Sequence, residues 1–145
     1  MPKALVAYST RTDNTAKIAE YIAEGLRFSA ADVTLVNIKN IKEESQLEGY
    51  DIYVFGSPTY HGEMTNSMKT FLFLSEKADL AGKAGGSFGA FGWSGEAPER
   101  IYETMKNVFS MNMTPDGPLM LKSGDLEGGM KMAQAYGRKL GGMVA

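Results

Sequence analysis

The chain has 145 residues, the usual size of one domain, so residues 1–145 are expected to form a single domain. A net charge of −2 and a pI of about 5.4 argue against nucleic acid or an anionic membrane as a partner, and the absence of a leader or an apolar run of about 18 residues predicts a cytoplasmic protein. With no cysteine and one histidine, thiolate and multi-histidine metal sites are excluded, so any redox chemistry requires an organic cofactor.

The first half of the chain alternates strand and helix patterns. The apolar run 3–8 predicts a strand, and apolar residues at helical spacing over 16–26 predict an amphipathic helix. Segments 33–38 and 51–55 are further strands, with no more than a short polar helix between them. A second helix is predicted over 67–75.

The second half repeats the alternation. Strands are predicted over 87–91 and 118–121, and helices over 98–109 and 125–140. Strands joined by helical crossovers form parallel sheets covered on both faces. The sequence therefore predicts a doubly wound α/β domain with five parallel strands, and we expect the strand order 2-1-3-4-5, one of the common orders of this fold. In this fold ligands bind at the carboxyl ends of the strands, between strands 1 and 3.

The loop after the first strand, residues 9–15, is rich in hydroxyl and amide side chains and lies at the start of a helix. Free backbone N–H groups and the helix dipole make such a position an anion site. The loop has neither the Walker pattern nor the GxGxxG turn, and it suits a monophosphate ester better than a triphosphate. Ordinary helix capping is the alternative explanation.

Two further loops carry aromatic residues at the same edge of the sheet. The segment 56–63 contains a proline turn with Tyr60, and the glycine-rich segment 89–96 contains the single tryptophan, Trp93. Both aromatic side chains are expected to face one crevice, where they would stack on a flat ring system. For either residue alone, surface packing is the alternative.

These three loops resemble those of flavodoxins. The stretches Ser57-Pro-Thr-Tyr-His-Gly62 and Phe91-Gly-Trp-Ser-Gly95 are especially similar to the flavodoxin modules of flavodiiron proteins. The resemblance covers nearly the whole chain and implies FMN as the cofactor, with its phosphate on the first loop and its ring between the other two. The implied FMN contacts are Ser9, Thr10, Arg11, Thr12, Asn14, Thr15, Pro58, Thr59, Tyr60, His61, Gly62, Phe91, Gly92, Trp93 and Gly95.

The resemblance also sets expectations for backbone conformation. Family members usually have glycine where this chain has Asp13, and aspartate tolerates unusual backbone angles better than most residues. In the family, a glycine peptide beside flavin N5 turns over when the flavin is reduced. Whether His61 is aligned as an inserted residue or as part of that peptide, Gly62 lies in the peptide that moves. Short segments around residues 117–122 are typical of the short-chain form.

The function implied is that of a low-potential electron carrier, a monomer without catalytic or metal-binding residues that docks transiently with redox partner proteins at the flavin edge. Glu63, Glu96 and Glu99 are candidate sources of a negative field near the flavin. The alternative is a small FMN-dependent NAD(P)H:quinone or flavin reductase. A phosphoacceptor receiver is disfavoured because Ser9-Thr10 and Gly56-Ser57 occupy the places where it needs acidic residues.

Overall fold

The computed structural model describes residues 1–11, 13–60, 62–91, 95–122 and 127–144. Its single sheet is parallel throughout, with the order β2-β1-β3-β4 followed by two short strands on the free edge of β4. The predicted doubly wound fold and strand order are confirmed. The strands are β1 (Lys3–Tyr8), β2 (Asp32–Asn37), β3 (Ile52–Gly56), β4 (Ala84–Phe91), β5 (Asn112–Met113) and β6 (Leu119–Lys122).

The fifth position of the sheet is divided between β5 and β6, where one strand over 118–121 was predicted. β5 pairs with Ala84 and Gly85 at the start of β4, and β6 pairs with its end. The intervening turn is closed by a hydrogen bond from the Gly117 N–H to the Thr114 carbonyl, at 3.2 Å, with Gly117 at φ +76°. A two-residue strand leaves no alternation in the sequence, so β5 was missed.

Helices cover both faces of the sheet, as predicted: α1 (Asn14–Phe28), α2 (Asn66–Glu76), α3 (Glu96–Asn107) and α4 (Met130–Gly142). Two 3₁₀ turns, Ile38–Asn40 and Glu44–Leu47, lie between β2 and β3. One apolar core lies between the sheet, α1 and α4, and the other lies between the sheet, α2 and α3. Side chains alternate along β1, so Val6 lies in the first core and Leu5 lies in the second, on the opposite face of the sheet.

β4 begins three residues earlier than predicted because Gly85 and Gly86 belong to the strand and not to a loop. A Cβ built on Gly85 would lie 2.8 Å from Met113 Sδ, and one on Gly86 would lie 2.8 Å from Tyr136 Oη. The glycines are therefore required by packing on both faces of the strand. The predicted start of the last helix, at residue 125, lies outside the described residues.

The first and last helices approach each other at backbone distance. A Cβ on Gly25 would collide with the Gln134 carbonyl oxygen, and one on Gly137 with that of Ile22. Glycine is therefore required at these two positions by the close packing of the helices. None of the helices in the described part of the chain combines the length and apolarity needed to cross a membrane.

Candidate functional site

The loops that follow β1 and β3 lie at the carboxyl edge of the sheet, where each is bonded to the neighbouring strand. The Ser9 N–H donates to the Gly56 carbonyl at 3.0 Å, and the Ser57 N–H donates to the Phe88 carbonyl at 3.1 Å. These bonds extend the strand pairing into the loops. The crevice predicted at the reversal of strand order is therefore built on a fixed backbone.

Asp13 sets the entry to α1. It has φ +65° and ψ −2°, the left-handed conformation, and its side chain makes no capping hydrogen bond to the helix. Its carbonyl accepts the first helical bond, from the Lys17 N–H at 3.0 Å. The preceding N–H groups of the first turn have no intrahelical partner and point towards the first loop. Glycine adopts this conformation most readily, and aspartate tolerates it better than most other residues.

Two hydroxyls at this helix end are buried without a hydrogen-bond partner among the described residues. They are the Oγ1 atoms of Thr10 and Thr15, and the Thr15 residue is 1% exposed. A buried polar group without a partner costs about 1–3 kcal/mol, so native proteins rarely leave one unmatched. The chemistry of the first loop, two hydroxyl donors beside free N–H groups, fits a phosphate ester.

Ser9 has a structural role in the first loop. Its buried Oγ shares a hydrogen bond of 2.8 Å with Thr65 Oγ1, and Thr65 caps α2 by accepting from the Met68 N–H at 3.2 Å. This contact joins the first loop to the start of α2. Sequence reasoning missed Thr65, although a threonine directly before a helical apolar pattern is a recognisable cap signal.

The second loop contains a tight turn closed by Tyr60 and Glu63. Each donates its backbone N–H to the carbonyl of the other, at 2.7 and 2.9 Å, and Gly62 has φ +74° within the turn. A Cβ on Gly62 would meet nothing within 4 Å, so the need for glycine is conformational and not steric. The turn presents the half-buried Tyr60 towards the first loop.

Thr59 joins the second loop to the start of α3. Thr59 Oγ1 accepts from the Ala97 N–H at 3.0 Å, which places it at the N-terminus of α3, and Pro58 is buried. The Ser57 hydroxyl donates to the Pro58 carbonyl and accepts from the Thr65 N–H. Both predicted contact residues therefore serve the scaffold of the crevice.

Arg11 and Tyr60 bring the first two loops together. The Arg11 Cζ atom lies 4.6 Å from the centroid of the Tyr60 ring, within cation–π range. Thr10, Arg11 and Tyr60 line a cavity of about 390 Å³ that continues to the start of α2 and to Lys69. The predicted neighbours on these two loops are thus adjacent in the fold.

The Glu63 carboxylate is paired with two cations, which the sequence analysis did not anticipate. Its oxygens lie 3.6 Å from Lys69 Nζ and 3.7 Å from Arg100 Nε. The three side chains are between 38% and 56% exposed, so each pair contributes little to stability. The pairs do offset the negative field for which Glu63 was a candidate source.

The third loop is described only at its ends. Phe91 closes β4 and is half-buried, and Gly95 precedes α3 with φ −128°. The predicted contacts Thr12, His61, Gly92 and Trp93 lie outside the described residues. Among the described residues, no group of three or more acidic or histidine side chains could hold a metal ion.

The family follows from comparison with known sequences. A model of the flavodoxin domain matches residues 5–127. The chain belongs to the flavodoxin family. Proteins of the flavodoxin family bind flavin, and the sequence resemblance is confirmed.

Curated relatives include a flavodoxin and an enzyme. A flavodoxin from Maridesulfovibrio salexigens is 37% identical over 92 residues, covering 61% of this chain and 63% of that protein. An NAD(P)H dehydrogenase (quinone) from Archaeoglobus fulgidus is 30% identical over 122 residues, covering 68% of this chain and 64% of the enzyme. The aligned part is thus slightly under two thirds of each relative's length.

Solved structures extend the likeness to the whole described fold. An archaeal flavodoxin superposes with a TM-score of 0.87 at 28% identity and covers 98% of both chains. The flavodiiron core of Flv1 from Synechocystis superposes with a TM-score of 0.89 over 98% of this chain and 36% of that one. At 23% identity the second match establishes a shared fold.

Proposed function

We propose that this flavodoxin binds FMN and carries electrons between redox proteins at low potential. The observation that carries the proposal is the pair of buried hydroxyls, Thr10 Oγ1 and Thr15 Oγ1, beside the N-terminus of α1. In a family that binds flavin, these donors suit the FMN phosphate. FMN supplies one- and two-electron redox chemistry when bound.

The chain's own residues have three tasks in this proposal. Thr10, Thr15 and the first turn of α1 hold the phosphate, while the side chain of Asn14 completes the polar loop. Tyr60 offers an aromatic face to the ring, and its turn is fixed by two backbone hydrogen bonds to Glu63. Arg11 supplies positive charge between these parts, since its guanidinium lies against Tyr60.

The partner proteins are expected to be basic. The side of α3 next to the third loop forms a groove of about 490 Å³ lined by Glu96, Glu99, Arg100, Glu103 and Thr104. Three of these residues are acidic, and the single cation among them is paired with Glu63. Complementary charge raises the rate of encounter and favours transient docking. Monomeric state and cytoplasmic location remain predictions.

A second candidate function is reduction of quinones or free flavin by NAD(P)H. It is favoured by the 30% identity to the Archaeoglobus fulgidus quinone dehydrogenase. The two functions share the cofactor site and differ in whether a nicotinamide is consumed. Rapid oxidation of NADPH by the purified flavoprotein, with and without a quinone, decides for the enzyme. No turnover above free FMN decides for the carrier.

The proposal is tested by titrating apoprotein with FMN and with riboflavin while following flavin fluorescence. A phosphate site predicts FMN binding in equimolar amount and much weaker riboflavin binding. The visible spectrum of the purified protein checks the same point. Equal affinity for FMN and riboflavin would contradict a phosphate site in the first loop. If neither ligand bound, the proposed FMN-dependent function would be wrong.

A further inference from the structure

Met120 is an exposed methionine at the edge of the sheet. Along β6, Leu119 and Leu121 are 7% and 4% exposed and point into the core beside α1 and α4. Because side chains alternate along a strand, Met120 points to the opposite face, where it is 41% exposed. A cavity of about 380 Å³, also lined by Met132 and Tyr136, lies beside it. The Met120 side chain is therefore partly accessible to small solutes.

The Met120 sulfur packs against the third loop. A Cβ built on Gly95 would collide with Met120 Sδ, so the sulfur occupies the space that a side chain at Gly95 would need. Gly95 lies two residues after Trp93, which together with Gly92 is predicted to bind the ring, and it directly precedes α3. A change at this sulfur is thus transmitted to the backbone that leads out of the loop.

The other methionines do not combine exposure with this contact. Met64, Met68, Met105, Met111 and Met113 are buried, at 8% exposure or less. Met130 and Met132 are exposed on α4. Met132 therefore serves as an exposed methionine whose sulfur does not contact Gly95.

We propose that Met120 is an oxidation site for hydrogen peroxide, and that its oxidation weakens cofactor binding through Gly95. The sulfur lone pair attacks one peroxide oxygen and the O–O bond breaks. The transferred oxygen forms the S=O bond, and its proton passes to the departing hydroxide, which leaves as water. The thioether is oxidised by two electrons and the peroxide is reduced.

The added oxygen changes both the size and the polarity of the contact. Methionine sulfoxide is polar and bulkier than the thioether. Because Sδ packs against Gly95, an oxygen added on that side displaces either the methionine side chain or the start of α3. Only the readout on flavin rests on the proposed FMN function. The loop displacement does not.

The experiment oxidises the apoprotein with dilute hydrogen peroxide and follows each methionine by peptide mass spectrometry. Wild type, Met120→Leu and Met132→Leu are compared, because leucine preserves apolar volume and cannot form a sulfoxide. After oxidation, wild type and Met132→Leu are expected to lose FMN affinity by roughly tenfold. Met120→Leu is expected to keep its affinity.

A second readout needs no flavin. The emission of Trp93, the single tryptophan, is expected to change on oxidation of wild type and Met132→Leu but not of Met120→Leu. Methionine sulfoxide reductase should reverse the change in wild type, which tests the site even without a variant. If none of the three proteins binds FMN before oxidation, the proposed function is wrong. The Trp93 emission then still shows whether oxidation of Met120 reaches the third loop.

The inference is overturned by any of three results. The first is that Met120 stays unmodified when Met132 is converted. The second is that Met120→Leu responds to peroxide as wild type does. The third is that Met120 is oxidised with no change in Trp93 emission or, in a protein that binds FMN, with no loss of FMN affinity.

Discussion

The guanidinium of Arg11 stacks on the ring of Tyr60, with Cζ 4.6 Å from the ring centroid. The contact joins the proposed phosphate loop to the proposed ring-binding loop, and it places a permanent positive charge at their junction. Arg11 is exposed, so the contact alone contributes only about 0.5–1 kcal/mol. Its larger effect is expected on the charge state of the bound flavin.

Replacing Arg11 with alanine should lower the reduction potential of bound FMN by on the order of 20–50 mV, because the cation no longer stabilises added negative charge. Arg11→Lys keeps the charge and should retain most of the potential. Arg138→Ala is the matched control, since Arg138 Cζ lies 4.8 Å from the Phe28 ring in a similar contact on α4 and α1. Spectroelectrochemical titration measures all three, and equal potentials in Arg11→Ala and wild type would contradict the assignment.

Thr15→Ala should weaken FMN binding without lowering the stability of the apoprotein. FMN binding is expected to weaken by roughly 1.5–3 kcal/mol through loss of a charge-assisted hydrogen bond. The apoprotein should unfold no more easily than wild type, because the deleted hydroxyl has no partner among the described residues.

Thr114→Ala is the control for Thr15→Ala. Thr114 is also 1% exposed, but its Oγ1 accepts from the Asp116 N–H at 3.3 Å. It should lower the urea midpoint and leave the FMN dissociation constant unchanged. A fall in stability without a change in affinity for Thr15→Ala would make that residue a structural cap only.

Gly62→Ala should cost roughly 1–2 kcal/mol of stability, because alanine disfavours the left-handed conformation at φ +74°. Gly82→Ala is the matched control: Gly82 has φ +78°, and a Cβ there also meets nothing within 4 Å. Both variants should lose similar stability. Only Gly62→Ala should change the separation between the two one-electron potentials, and an unchanged separation would take Gly62 out of the moving peptide.

Tyr136→Phe should destabilise the fold by about 1–3 kcal/mol. The hydroxyl donates to the Gly117 carbonyl at 2.7 Å and accepts from the Ser87 N–H at 3.1 Å, which ties α4 to β4 and to the turn before β6. Urea unfolding at neutral pH measures the loss. A midpoint equal to that of wild type would show that these bonds contribute nothing net.

Burial raises the pKa of Tyr136 above its ordinary value of 10.0. The unfolded chain therefore loses this proton at lower pH than the folded protein does. The stability contributed by the neutral hydroxyl is complete below pH 10 and falls as the pH rises beyond it. Tyr136→Phe should show a shallower loss of stability above pH 10, with Tyr53, whose pKa burial also raises, responsible for part of the remainder.

The sequence was sufficient for the doubly wound fold and for the proximity of the first two loops, because period and loop chemistry are local signals. The predicted start of β4 was wrong, because Gly85 and Gly86 are residues typical of a loop but lie within the strand. The requirement for glycine there comes from Met113 and Tyr136, which are distant in the chain. Local propensity cannot register such packing.

Within the candidate site, the sequence indicated which loops meet but not which side chains pair across them. Thr15 and Tyr60 were named from residue type and position, and the structure brings their loops together. The pairing of Glu63 with Lys69 and Arg100 was missed, because it joins the second loop to two different helices. Ion pairs of this kind depend on helix orientation, which composition does not specify.

The backbone contact between α1 and α4 bears on how the chain is made. Helix α1 leaves the ribosome long before α4, because it comes first in the chain. The surface around Gly25 can therefore be covered only after residues 134–137 have been synthesised. Contacts between such distant segments slow folding, because the intervening chain must be ordered first. The nascent chain therefore leaves this part of α1 uncovered until residues 134–137 have been synthesised.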